Sequence, residues 1–545
     1  MAEWDRLYDE AIAAGSGRIR SLPGVVVGFH STIDGLKRVT GEELRRWLDS
    51  EPGLTAEVAR LLDPEAGHRE APVVSLKEIR TPAELLAALL DCMARGKARQ
   101  LMIRNEGTFE WALRRIGYDR LRMGGTSGNM ANALAPLGLE RVLVYAHPLS
   151  MQLANLFVDR PNLFVLDRGR LVSPRQAAAE NGKTTIRALH WVLEFGREEG
   201  FLRPTLSGAE GLAQSPPDQE VEPMPLGRVR WEKSATPRAN RFIAAWNPEN
   251  NRLRVNQEFA AGLLELGELF SHFIVSGFHL LSETYPDGTT YEECLAGVAS
   301  LLCQLRARHP HLLLHYEFAS IASPAIRRGV VEEILPRVDS LGLNEVELVA
   351  ILHDLGEDEL AQGLEAADAE AGKAAAAGQV AAPPVELLLP ALARVAEVAG
   401  LRRIHLHNLG YYLALVRPKA QERPGTGKAA ELLEIARQTR EGLLFAAALA
   451  AVRATRGEVK DPGEATAALE VPISPVGLHG VNHLTDLVDA GLVETLAGGD
   501  VGEGLFSYHE FAGAFVPTRV VAEPLFTVGL GDLISAVAFI TGMAG

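Results

Sequence analysis

Residues 527–532, TVGLGD, run straight into the apolar stretch LISAVAFI. A glycine-rich turn that opens a helix gathers several backbone N–H groups, and the positive end of the helix dipole, at one point. Asp532 stands at the mouth of that turn. A carboxylate there can take a proton from a hydroxyl while the backbone of Gly529, Leu530 and Gly531 holds phosphoryl charge next door. The plainer reading is a helix-capping aspartate, and the motif alone leaves both open.

Two further segments bear on the choice. In MGGTSGNMANALAPLG (123–138), adjacent glycines Gly124 and Gly125 precede a small-residue helix, which would let a ligand approach bare backbone. VVVGFHSTIDG (25–35) reads as a buried strand that delivers Asp34 at its end. This order resembles the ribokinase-like sugar kinases. IVSGFHLL (274–281), HYEFAS (315–320), LGLNEVEL (341–348), HLHNLGYYLAL (405–415) and VPTRVVAEPLFTVGLGD (516–532) narrow it. Together with LHWVLEF (189–195) and PRANRFIAAW (237–246), they resemble the ADP-dependent glucokinase/phosphofructokinase family over roughly residues 20–540.

The resemblance implies roles residue by residue. Asp532 would be the general base, with Gly529, Leu530 and Gly531 as the anion hole. The His-x-Glu and Asn-x-x-Glu motifs fall on His315 with Glu317 and on Asn344 with Glu347, implying that Glu317, Glu347 and Asn344 organise magnesium, or another divalent cation, and its waters. A carboxylate capping a neighbouring helix is the plainer alternative. Asp34 would accept from sugar hydroxyls, with Gly124 and Gly125 nearby; a turn-forming Asp-Gly is the alternative. His190 matches a position facing the sugar, although a histidine on an apolar strand is often just packed. Arg241 and Arg519 are candidate partners of the nucleotide phosphates.

The sugar half departs from the family pattern. His30 and Thr32 stand where Asn-x-Asn is usual, and Thr126 where a longer amide follows the glycine pair. Gln100 replaces the glutamate of glucose-using members; an amide donates as well as accepts, so the hydroxyl pattern read could change. Lys183, Arg187 and Arg197 lie where a sugar phosphate would need cations, or form a solvated face. PGTGKA (424–429) lacks the first glycine and the Ser/Thr of a P-loop, HLH (405–407) shows no third metal ligand, and GGDVGEG (498–504) reads as a turn.

Length and composition set the frame. A chain of 545 residues, 47% hydrophobic and 23% charged, can bury a large core. A formal net charge of −16 argues against nucleic acid or an anionic membrane as partner. Cys92, Cys294 and Cys303 have no paired spacing and read as core residues of a cytoplasmic protein. No apolar run reaches the roughly 18 residues of a membrane helix. The first fifteen residues read as a surface helix.

Seven short buried-type strands, 25–29, 141–146, 163–167, 272–277, 312–318, 340–344 and 404–409, alternate with periodic helices such as 82–96 and 290–310. That pattern predicts an α/β fold with a parallel sheet, whose ligands bind at the carboxyl ends of strands. Asp34, Glu317 and Asn344 are expected at such ends. Residues 204–233 and 418–428 read as loops, and 359–385 as a solvated helix or mobile excursion. The resemblance implies a ribokinase-like three-layer sandwich, with a large nucleotide-binding domain from 1–35, 123–169 and 246–545 and a small α/β lid from 36–122 and 170–245.

The expected activity is transfer of the β-phosphate of ADP to a hydroxyl of a hexose or hexose phosphate, releasing AMP. The partners would be a small-molecule sugar and a nucleotide, and the protein a monomer or small homo-oligomer. An ATP-using kinase of a nucleoside or polyol, and a catalytically weak sugar-binding protein, are the alternatives.

Overall fold

The computed structural model describes residues 2–63, 76–181, 188–206, 229–253, 255–418, 428–526 and 528–543. Lys183, Arg187, residues 207–228 of the segment expected as a loop and the PGTGKA segment up to Gly427 lie outside them, whereas 204–206 and 229–233 belong to the antiparallel strands Glu198–Leu206 and Val229–Thr236. Two compact units are present, one from Met1–Ser31, Gly125–Lys183 and Glu249–Gly545, the other from Thr32–Gly124 and Thr184–Pro248.

Among the described residues the larger unit carries an eleven-stranded sheet. Its seven parallel strands run, in spatial order, Arg403–His407, Ser340–Leu343, Leu313–Glu317, His272–Val275, Val25–Gly28, Val142–Val144 and Leu163–Asp167. These are the seven expected apolar runs. Strands covered on both faces read as continuous hydrophobic stretches, which is why they stand out. Antiparallel strands extend both edges: Tyr411–Val416, Phe511–Pro517 and Leu505–Tyr508 on one side, Arg170–Val172 on the other.

The Leu530–Gly542 helix is apolar all round and buried from Leu533 onward, packed against the long Lys428–Arg456 helix and the Thr126–Leu134 helix. The expected N-terminal helix spans Ala2–Ser21 and buries Trp4, Leu7, Tyr8 and Ala11. The 359–385 segment is largely the Asp358–Ala376 helix. Cys92 and Cys294 are buried as expected, but Cys303 is exposed.

In the smaller unit the six-stranded sheet runs Glu78–Ile79, Arg99–Ile103, Asn240–Trp246, Leu189–Phe195, Thr32–Arg38 and Arg120–Gly124. The Pro82–Arg95 helix starts with a Thr81–Glu84 capping box and Pro82, and ends at Gly96 in the left-handed conformation. From the Glu106–Arg115 helix, Phe109 stacks on Trp246 at 5.1 Å and meets Trp191 edge-on at 5.6 Å.

Two expectations are corrected by this topology. Asp34 does not end the Val25–Gly28 strand; that strand stops at Gly28, and Asp34 is the third residue of the Thr32–Arg38 strand in the other unit's sheet. Residues 170–181, expected in the smaller domain, belong to the larger. Arg170–Val172 pairs with Leu163–Asp167, and the Pro174–Asn181 helix packs on Met151–Leu156.

Candidate active site

Gly529 starts the Leu530–Gly542 helix in the left-handed conformation, φ 71°. A β-carbon there would sit 3.1 Å from Asn129 Cγ and 3.3 Å from Arg453 Nη2, so the position takes glycine on two grounds. Asp532 follows in the first turn, half-buried, its Oδ2 accepting from Asn129 Nδ2 at 3.1 Å. Burial raises its pKa to about 6, against the Asn129 hydrogen bond and the Arg453 charge, which both pull it down. The carboxylate is therefore ionised at neutral pH but near enough to it to take a proton.

Glu317 closes its strand as expected and is buried with its Oε2 lacking a hydrogen-bond partner. Burial pushes its pKa well up, and the Glu347 and Asp532 charges add to this, against the pull of the nearby Ser535 hydroxyl and the Arg403 charge. Beside it the fully buried His315 bonds Ser340 Oγ through Nδ1 and Ser535 Oγ through Nε2, both at 2.9 Å, and stacks on Phe539. Burial keeps His315 neutral. The buried Arg403 donates to Ser340 Oγ at 3.1 Å and to the Ala538 carbonyl at 3.3 Å. Even drawn down to about 9 by burial, it remains a cation at neutral pH. His407 Nε2 lies 3.9 Å from Glu317 Oε1 and borders Gly531.

Asn344 and Glu347 form a capping box on the Glu345–Asp354 helix. Asn344 Oδ1 accepts from the Glu347 amide, and Glu347 Oε2 from the Asn344 amide, each at 3.0 Å. Glu347 thus caps a helix, though its own rather than a neighbouring one, and among the described residues its Oε1 accepts only from Ser320 Oγ, at 3.5 Å. Burial raises Glu347 to about 7. Glu345 bonds Asn408 and Tyr411 instead.

These groups bear on the expected cation. Among the described residues no three His, Cys, Asp or Glu side chains have metal-ligand spacing. Magnesium, however, keeps several waters and needs only one or two protein carboxylates. The buried Oε2 of Glu317 and the weakly bonded Oε1 of Glu347 fit such a water-rich ion, whose charge would offset their mutual repulsion.

In the smaller unit, Asp34 pairs in register with His190 on one neighbouring strand and Arg122 on the other. Asp34 Oδ1 lies 4.0 Å from His190 Nδ1, and His190 is buried. Alternation puts these side chains on the sheet face opposite Trp191 and Phe242. Gln100 shares that face but is exposed and three strands away, about 14 Å across at ~4.8 Å per strand, so it does not join the Asp34 cluster. Arg241 is exposed beside Glu194 on the same face. The two glycines expected to leave bare backbone for a ligand also sit tightly against protein groups. A β-carbon on Gly124 would clash with the Asp34 carboxylate, and one on Gly125 with the His30 carbonyl.

Arg519 is corrected outright. Its Nη1 donates to the Leu469 and Val471 carbonyls at 3.1 and 2.7 Å, its Nη2 bonds Asp5, and it lies over the Tyr8 ring at 4.4 Å. It is buried and pins the N-terminal helix, with both terminal nitrogens already bonded to protein groups. Asn129, Ser535, Arg122 and Arg453 were not singled out from sequence, and His407 was noted only within the HLH run that lacks a third metal ligand. Asn129 and Ser535 sit within motifs already noted, one turn from the key residues, and helical spacing is the signal that could have found them.

A family model described as the ADP-specific phosphofructokinase/glucokinase conserved region matches residues 23–211 and 227–541. The ADP-specific phosphofructokinase of Methanosarcina acetivorans is 28% identical, over 100% of this chain and 98% of the relative. The ADP-dependent glucose/glucosamine kinase of Pyrococcus abyssi is 30% identical, over 99% and 98%. Among solved structures, the last common ancestor of ADP-dependent phosphofructokinases from Methanosarcinales superposes with a TM-score of 0.75 at 28% identity, covering 99% of this chain and 98% of that one. An ADP-dependent kinase in complex with fructose-6-phosphate and ADPbetaS gives 0.71 at 26%, with the same coverage. With its mostly parallel sheet and Gly529–Asp532 helix start, the chain belongs to the ADP-specific phosphofructokinase/glucokinase family.

Proposed function

We propose that the protein is a kinase that moves the β-phosphoryl group of ADP to a hydroxyl of a hexose or hexose phosphate. The observation that carries this is Asp532, half-buried at a Gly529-initiated helix start and oriented by Asn129. The acceptor oxygen attacks the β-phosphorus as its proton passes to Asp532. The bond to the bridging oxygen breaks, and AMP leaves with the electron pair. The backbone N–H groups at Gly529, Leu530 and Gly531 hold the charge on the phosphoryl oxygens, so positioning and electrostatics supply most of the catalysis. Glu317 and Glu347 would hold a divalent cation through its waters, and such an ion neutralises charge on the diphosphate. Asp34, with His190 and Arg122 beside it, offers acceptors and donors for sugar hydroxyls.

Two named relatives bracket the acceptor, one a phosphofructokinase and one a glucose/glucosamine kinase. The test is a screen of sugars and sugar phosphates with ADP and with ATP, read by release of AMP or ADP. ADP-dependent AMP release, lost about 10²–10⁴-fold in Asp532→Asn, supports the reading. Turnover with ATP alone would favour the nucleoside or polyol kinase, and no turnover with any acceptor the weak sugar-binding protein.

A further inference from the structure

The end of the Lys428–Arg456 helix, the Thr126–Leu134 helix and the start of the Leu530–Gly542 helix border a cavity of about 430 Å³ within the larger unit. Asn132, Val158, Arg160, Arg453, Lys460 and Leu533 are among its walls. Most of its charges are committed elsewhere. Arg160 donates to the Lys460 carbonyl at 3.0 Å, Lys460 pairs with Glu458 at 2.8 Å, and Asp159 pairs with Arg175 at 2.7 Å.

Arg453 differs. Among the described residues its guanidinium makes no hydrogen bond or ion pair, yet it is half-buried and its field reaches Asp532. Its Nη2 lies 3.3 Å from the point where a β-carbon on Gly529 would stand. Glycine at 529 thus lets the guanidinium come up against the anion hole itself. A cation held out of bulk water without a fixed partner is costly, and the cost is recovered when an anion arrives. Guanidinium geometry suits the paired oxygens of a phosphoryl group.

We propose that Arg453 is a catalytic residue, its guanidinium donating to the phosphoryl oxygens of the nucleoside diphosphate during transfer. The proposal rests on the kinase reading above and adds a side-chain cation to the backbone anion hole. In the step itself the acceptor oxygen bonds to the β-phosphorus, and the bridging P–O bond breaks toward AMP with its electron pair. The hydroxyl proton goes to Asp532, while Arg453 and the Gly529–Gly531 backbone share the negative charge on the three phosphoryl oxygens.

The test compares wild type with Arg453→Met, Arg453→Lys and Arg453→Ala, following AMP release with the best acceptor from the screen. Arg453→Met should lower kcat about 10²–10³-fold, as removal of one oxyanion donor does, with little change in KM for the sugar. Arg453→Lys should fall between, since it keeps the charge but loses the two-pronged donor. Because the neighbouring cavity has room for it, free guanidinium well below denaturing concentration should restore part of the rate of Arg453→Ala, saturably. A merely structural arginine would lower the melting temperature and show no such rescue. Wild-type turnover with ADP, together with an Arg453→Met kcat within about threefold of wild type, would overturn the assignment and leave the kinase reading standing. No wild-type turnover with ADP would overturn both.

Discussion

Replacing Asn129 by alanine tests whether Asp532 is the proton acceptor without touching Asp532 itself. Asn129 Nδ2 donates to Asp532 Oδ2 at 3.1 Å, and this bond holds the carboxylate's pKa down against burial. A hydrogen bond to a charged group contributes about 1.5–3 kcal/mol, and half-exposure puts this one at the low end. At 1.36 kcal/mol per pKa unit, its loss moves Asp532 up by about one unit, from the about 6 of the intact protein. The base must be ionised to act, so activity falls as pH drops through that pKa. The acid limb of log kcat/KM against pH should therefore shift by about one unit to higher pH. At pH 6 the variant should be several-fold slower than wild type, while at pH 8.5 the two converge except for any loss of positioning. The assay is initial-rate AMP release across pH 5–9 at saturating cation. An acid limb that stays put would refute Asp532 as the titrating base.

Three further outcomes follow. Glu317→Gln and Glu347→Gln should raise the magnesium needed for half-maximal rate; since glutamine also serves at the third position of a capping box, Glu347→Gln should do so with little loss of melting temperature. An unchanged magnesium dependence in both would remove them from the cation site. Arg519→Met should destabilise the fold by about 2 kcal/mol, leaving the Leu469 and Val471 carbonyls and Asp5 unpaired, yet keep KM for ADP; a tenfold rise in that KM would restore a nucleotide role. Wild type should turn over glucose poorly, and Gln100→Glu should raise the glucose to fructose 6-phosphate ratio of kcat/KM only if that exposed strand position reaches the sugar; efficient wild-type glucose phosphorylation would refute the specificity argument.

The parallel strands were legible because covering both faces of a strand demands an unbroken apolar run, and Val25–Gly28 or Leu313–Glu317 could serve few other purposes. Asp532 was legible because its turn needs glycines at fixed spacing. Asp34 was misplaced because Phe29 and Ile33 continue the hydrophobic pattern across a boundary that only the second sheet reveals. Arg519 misled for another reason. Nothing near it in sequence shows that its partner Asp5 lies 514 residues away, and a lone arginine in a loop reads as free. Asn129 and Asp532 are likewise 403 residues apart, so their bond is a property of packing rather than of either motif.

The buried, unpartnered Oε2 of Glu317 also has a practical consequence. A carboxylate held in this state weakens the unliganded protein, so whatever satisfies it must raise the melting temperature by linkage. A ligand present at a hundred times its dissociation constant adds about 2.7 kcal/mol to stability, whether or not a reaction follows. Thermal shift with each divalent cation, alone and then with nucleotide and candidate sugars, therefore becomes a search tool that needs no turnover. It would rank cations by how well they occupy this corner of the sheet, and acceptors by how much further they stabilise the protein.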